Sequence, residues 1–181
     1  MRRLETRLDG PILLEPTVHG DARGFFVETF RRSTFDEIGI TTEFVQHNHS
    51  RSSRGVLRGM HYQLGLAKHV RCARGRILDV LVDVRRSSPS FGQWEAFTLD
   101  DESHHQLFVP AGFAHGFVVL SEIADVVYLQ DDYYDPARDK GISYRDPDVA
   151  IVWPEGLQLQ TSERDDHQPL LRDVPPDELP E

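Results

Sequence analysis

Histidine, arginine and amide side chains crowd two stretches of the chain, Gln46-His47-Asn48-His49-Ser50 and Gly55-Val56-Leu57-Arg58-Gly59-Met60-His61-Tyr62-Gln63. An imidazole takes or gives a proton near pH 7, and a guanidinium beside it can hold an anionic group. Both stretches look like strands, and strict alternation would put Arg58 and His61 on opposite faces. Gly59 between them tolerates a bulge, which would aim both side chains into one cavity. The other reading is an exposed arginine and a histidine satisfied in the core. A third stretch, Pro110-Ala111-Gly112-Phe113-Ala114-His115-Gly116-Phe117, delivers His115 from a proline-glycine turn, with Gly116 open to close backbone approach. A fourth, Tyr128-Leu129-Gln130-Asp131-Asp132-Tyr133-Tyr134, ends an apolar run on a tyrosine and sets an aromatic pair in a loop. Such pairs usually pack, and the loop context raises a stacking role.

Strands must position these groups. Short apolar runs, many with period-2 alternation, predict strands at Phe25–Phe30, Glu43–Asn48, Val56–Gln63, His69–Ala73, Arg76–Val84, Trp94–Leu99, Gln106–Val109, His115–Leu120, Ala124–Gln130 and Ala150–Trp153. In Arg76–Val84 the residues Leu78, Val80, Val82 and Val84 share one face, which packs on a core, and Asp79, Leu81 and Asp83 share the other. One helix is expected at 33–39, with Ser33 as N-cap and Gly39 as stop. Many short strands between close-set turns predict an all-β chain, a sandwich or jelly roll with a cavity between its sheets and short peripheral helices. No linker divides the chain. Residues 1–171 read as one domain, and the acidic, proline-rich residues 172–181 as a frayed tail.

Composition narrows the partners. The 181 residues carry 20 Lys+Arg against 30 Asp+Glu, a formal charge of −10. That field repels a phosphate polymer, so nucleic acid is disfavoured. No apolar stretch reaches the ~20 residues of a membrane span, and the start is too short for a secretion signal. The expectation is a cytoplasmic protein, in keeping with a single cysteine, Cys72, that has no partner for an internal disulfide.

Seven motifs in one order carry a resemblance. They are Asp21-Ala22-Arg23-Gly24-Phe25-Phe26-x-Glu28, Gln46-x-Asn48-x-Ser50, Arg58-Gly59-Met60-His61-Tyr62-Gln63, the 75–85 strand, Ser88-Pro89-Ser90-Phe91-Gly92, Pro110-x-Gly112-Phe113-Ala114-His115-Gly116-Phe117 and Ser162-Glu163-Arg164-Asp165. Together, over roughly residues 10–171, they resemble the dTDP-4-dehydrorhamnose 3,5-epimerases, enzymes of the cupin jelly-roll fold. The resemblance implies a homodimer without cofactor or metal that inverts C3 and C5 of dTDP-4-dehydro-6-deoxy-D-glucose, a dTDP-4-keto-6-deoxyhexose. Both carbons lie α to the C4 ketone, so loss of either proton gives an enolate with its charge on O4.

By the same resemblance His61 is the base, Asp165 the carboxylate that orients it, Tyr128 the acid on the opposite side, and Lys68 a cation near O4 or the phosphate. Arg58, Gln46, Asn48 and His115 would hold the substrate, Tyr134 would stack on thymine, and Arg164 would face the pyrophosphate. Arg23 and Glu28 match nucleotide contacts that some members supply from the neighbouring subunit. Asp139 stands where a glutamate commonly contacts substrate and His47 where an acid is common, and the segment from His61 to Lys68 is short. These departures bear on substrate preference, and related epimerases of the same fold invert C3 alone.

Two readings of other classes stand beside this one. A metal-dependent cupin would use His47 and His49 with His61 and His115 as ligands, and a sugar-binding cupin would keep the arginines without needing Asp165 or Tyr128. Cys72 reads as a buried strand residue rather than a nucleophile, despite Arg71 and Arg74 nearby. Asp79 and Asp83 are expected to pair with arginines.

Overall fold

Alternation in the 76–84 run becomes strand β8 (Arg76–Asp83), and both of its faces are buried. Val80 and Val82 pack outward under the C-terminal segment, while Ile77 and Leu81 point into the space between two sheets. A strand with apolar side chains on both faces is a central one. The computed structural model describes residues 1–181.

The remaining strands are β1 (Arg2–Leu4), β2 (Ile12–Glu15), β3 (Val18–Asp21), β4 (Gly24–Val27), β5 (Gln46–Ser53), β6 (Leu57–Gln63), β7 (Lys68–Arg74), β9 (Trp94–Asp100), β10 (Gln106–Val109), β11 (Phe113–Val119), β12 (Ile123–Gln130) and β13 (Asp139–Gly141). They form a six-stranded sheet in the order β1-β2-β10-β7-β12-β5, a five-stranded sheet in the order β13-β6-β11-β8-β9, and a separate β3-β4 hairpin. The main sheets lie face to face, as expected of a jelly roll. Val70, Cys72, Leu81, Leu99, Leu107 and Val126 fill the space toward β10 and β9. Toward β5 and β6 the inward side chains are polar, and the space stays open.

Three local expectations are corrected. The helix is α1 (Arg32–Glu37), with extended Arg31 at its N-cap and no side-chain cap from Ser33. Its entry is held instead by Arg32, which donates to the carbonyls of Ile40 and Thr42, and by buried Phe35. No strand forms over 150–153, because Ala150 takes a positive φ of 53° and its N–H bonds Asp146 O. The tail does not fray: Val174 and Leu179 are buried on the outer face of the five-stranded sheet, and the Arg86 N–H donates to Pro180 O at 2.9 Å.

On the outer face of the six-stranded sheet, His69 is 4% exposed, edge-on to Phe35, with Nε2 2.6 Å from Gln106 Oε1. Burial pushes its pKa down to about 4, opposed by the Gln106 hydrogen bond and assisted by the Arg71 charge. An unfolded histidine takes its proton near pH 6.5, so this contribution to stability is whole above that pH and drains as pH falls toward 4. Between pH 7 and pH 5, urea titration should show the native chain losing about 2 kcal/mol more than His69→Leu. Equal losses would show that folded His69 titrates normally.

Candidate active site

Between β6 and β11 the register slips. His115 pairs with His61 but Phe117 pairs with Arg58, so three steps on β6 oppose two on β11. This is the bulge that Gly59 allows, and it turns Arg58 and His61 into one cavity of about 500 Å³. The strands approach too closely there for larger residues: a Cβ on Gly59 would meet Gly116 Cα at 2.5 Å. Arg58 is steadied by Nε donating to Ser52 Oγ at 3.0 Å.

A loop carries the partner of His61. Val56 bridges Gln160, and Leu57 N donates to Gln160 O at 2.8 Å, which lays residues 160–165 beside β6. Gly55 is required at this crossing, at φ +83° and with Gln158 O 2.3 Å from any Cβ. The chain then enters α2 (Glu163–Asp166), where the N-cap Ser162 Oγ accepts from Asp165 N at 3.1 Å. Asp165 is thereby buried with Oδ1 2.6 Å from His61 Nε2. Burial opposes its ionisation, but hydrogen bonds from His61, Ser162 and Gly59 hold its pKa below the usual carboxylate range. A carboxylate accepting from Nε2 fixes the ring's orientation and tautomer and leaves Nδ1 as the nitrogen free to accept a proton.

A second pair lies beside the first. His115 Nε2 sits 3.0 and 2.9 Å from the two oxygens of Asp79, which is fully buried. The expected arginine partner of Asp79 is therefore replaced by a histidine, since on central β8 Asp79 lies opposite Phe117 and diagonal to His115, which is paired with Leu81. Asp83 does pair with Arg85, at 2.7 Å.

The six-stranded sheet supplies the facing wall, with Ser50, Lys68 and Tyr128 lining the same cavity. Burial pushes the Tyr128 phenol above its ordinary pKa, with the Asp139 charge adding and the Arg58 charge opposing, so it keeps its proton at neutral pH. Burial pulls Lys68 down, opposed by the charges of Asp139 and Asp79. Arg164 also lines the cavity and pairs with Asp139 at 2.7 Å.

The other candidates lie outside this cavity. Gln46 and Asn48 are engaged with each other at 3.0 Å at its edge, and Tyr134 projects half exposed from the loop after β12. Arg23 and Glu28 are remote from the cavity, in ion pairs with Asp21 and Arg31 at 2.5 Å each. Sequence reasoning did not assign Gln160 and Thr161, which line the cavity from an irregular segment with no periodicity to reveal it.

The four histidines of the metal reading do not converge. His47 and His49 alternate with inward Ser50 and so take the outer face, where His49 Nε2 meets Asp125 at 3.2 Å, whereas His61 and His115 enter the cavity. No group of three or more His, Cys, Asp or Glu side chains is arranged to hold a metal ion. Cys72 is buried, and burial pushes its thiol up to about 12, far from a reactive thiolate. No helix is long and apolar enough to cross a membrane.

The family model for dTDP-4-dehydrorhamnose 3,5-epimerase matches residues 5–173. A relative of that description from Salmonella typhimurium is 45% identical over 93% of this chain and 94% of its own length. One from Pseudomonas aeruginosa is 50% identical over 88% and 91%. Among solved structures, the dTDP-6-deoxy-D-glucose-3,5-epimerase of Legionella pneumophila in complex with dTDP-4-keto-L-rhamnose superposes with a TM-score of 0.96 at 45% identity, covering 99% of this chain and 97% of that one.

Proposed function

The chain belongs to the dTDP-4-dehydrorhamnose 3,5-epimerase family and has that isomerase activity, and we propose that His61 and Tyr128, on facing sheets of the cupin barrel, carry it out. The observation that carries this assignment is the 2.6 Å His61–Asp165 contact at one wall of a cavity whose other wall presents a protonated phenol.

The 4-keto sugar lies between the walls, with C3 and C5 each acidified by the C4 carbonyl. The reaction asks for no cofactor, because the ketone itself takes up the charge. His61 removes the proton on its side as the C–H electron pair moves into the enolate and onto O4. Asp165 stabilises the imidazolium that results. Lys68 places its ammonium near O4, where it counters the developing negative charge. Tyr128 then gives its proton to the opposite face of the same carbon, and repetition at the second carbon completes the double inversion.

Arg58, Lys68 and Arg164 put positive charge at a cavity in a protein of net charge −10, which supports binding of the diphosphate. His115, held by Asp79, with Gln46 and Asn48, orients the sugar and phosphates, and Tyr134 stacks on the thymine. Asp139 sets the angle of Arg164. Arg23 and Glu28 act in a homodimer: the β3-β4 hairpin leaves Phe25 and Phe26 59% and 68% exposed, a surface suited to a second copy whose cavity the hairpin would complete. The reducing cytoplasm suits the single buried thiol.

NMR of the protein with dTDP-4-dehydro-6-deoxy-D-glucose in deuterated water tests the reaction. Loss of both the C3 and the C5 proton signals is expected, with L-rhamno product trapped by a downstream reductase. Exchange at C3 alone would place the chain with the 3-epimerases, and exchange at neither would end the catalytic reading.

A further inference from the structure

Tyr134 presents a ring that is 53% exposed on a loop, 131–138, with no strand or helix of its own. A loop of this kind ordinarily wanders, and a wandering ring loses ordering entropy each time it stacks on a base. Here the backbone on both sides of the ring is held. Buried Gln63, 5% exposed, donates from Nε2 to Tyr133 O at 3.3 Å and accepts at Oε1 from Asp135 N at 3.1 Å. Gln46 Oε1 accepts from Tyr134 N at 3.1 Å. Three consecutive residues thus have a backbone group fixed by two glutamine side chains.

The clamp is itself anchored. Gln46 donates to Asn48 Oδ1 at 3.0 Å, Asn48 to Gln130 Oε1 at 3.2 Å, and Gln130 back to Asp132 O at 2.8 Å, so amides from β5 and β12 close a ring around the start of the loop. Asp131 ties the loop to the end of the β6–β7 connection, accepting from Ala67 N at 2.8 Å. Gln63 does not line the cavity, and both of its amide atoms are spent on loop backbone.

We infer that Gln63 is a positioning residue for nucleotide binding: it holds the 133–135 backbone so that Tyr134 is set in place before the base arrives. This rests on the stacking role proposed above for Tyr134. Gln63 touches neither the reacting carbons nor the proton-transfer groups, so its loss weakens affinity and leaves turnover intact.

A double-mutant cycle on dTDP binding by calorimetry tests this with wild type, Gln63→Met, Tyr134→Ala and the double variant. Gln63→Met should weaken dTDP about tenfold, as two partly buried hydrogen bonds are lost and the loop is freed. Tyr134→Ala should weaken it at least as much, given the ~5- to 100-fold that one base stack contributes. The double variant should bind within about twofold of Tyr134→Ala alone, because Gln63 acts only through the ring. Additive losses would overturn the inference. Normal dTDP binding by Gln63→Met beside a weakened Tyr134→Ala would overturn it while sparing the stacking role. Normal binding by Tyr134→Ala would remove that role and the inference together. In turnover, Gln63→Met should raise KM about tenfold with kcat within about twofold, and a fall confined to kcat would count against it. Should Gln63→Met fail to fold, hydrogen exchange of the native chain decides: the Tyr134 and Asp135 amides should be protected about tenfold or more over free-chain rates, and free-chain rates there would refute the clamp.

Discussion

His61→Asn is expected to lower solvent exchange at both C3 and C5 by about 10³-fold or more while dTDP binding stays within a few-fold of wild type. Asparagine is shorter and its amide matches Nδ1 rather than the Nε2 that meets Asp165, so that contact is lost, but Asp165 remains held by Ser162 and Gly59 and the cavity persists. What is lost is the imidazole assigned to carry the proton away, since His115 beside it is engaged by Asp79. The 2.6 Å contact gives a companion expectation for Asp165→Asn. A neutral amide there no longer stabilises the imidazolium, so exchange should fall by roughly 10²- to 10⁴-fold with little change in dTDP affinity. Both are read from loss of the C3 and C5 proton signals in deuterated water, beside calorimetry with dTDP. Retained exchange in His61→Asn would falsify its assignment as base. Loss of exchange with equal loss of dTDP binding would instead point to a collapsed cavity.

Part of this cavity's lining was legible in the sequence where a local signal marked it. Gly59 between Arg58 and His61 marked a bulge, and the one-residue slip opposite His115 and Phe117 is that bulge. Tyr128 stood on the predicted strand Ala124–Gln130, which survives in β12, whereas Lys68 lay just ahead of the predicted strand His69–Ala73 and was named only by the resemblance. Pairings across the fold left no such trace. The approach of Asp79 to His115 depends on β8 lying between β11 and β9, an order that no spacing in the sequence encodes. Asp79 was expected to pair with an arginine because nothing local shows that the other sheet covers this face of the strand. The tail misled for a related reason. Its prolines and acids are what a disordered end carries, yet Val174 and Leu179 are enough to dock it where the five-stranded sheet needs an outer cover. Ser33 is a good N-cap by composition, but tertiary contacts of Arg32 set the helix start one residue before it.

Tyr128→Phe should separate the two halves of each inversion. Phenylalanine preserves the packing of the ring against the inter-sheet core, so the wall keeps its shape and only the hydroxyl is removed. Proton removal, assigned above to His61 on the five-stranded sheet, should survive, with exchange at C3 and C5 falling no more than about tenfold. The enolate then has no donor on the face toward β12. It is reprotonated by the imidazolium on the side it left, after that imidazolium has traded its proton for a deuteron from solvent. Inversion should accordingly fall by about 10²- to 10³-fold, and substrate recovered from deuterated water should carry deuterium with its configuration unchanged. The proton is available to the native enzyme because burial and the Asp139 charge hold the phenol above its ordinary pKa, overcoming the opposing charge of Arg58. Equal loss of exchange and inversion in Tyr128→Phe would mean that the hydroxyl assists enolate formation itself, as a donor to O4, and the acid at the opposite face would have to be sought among the other groups of that wall.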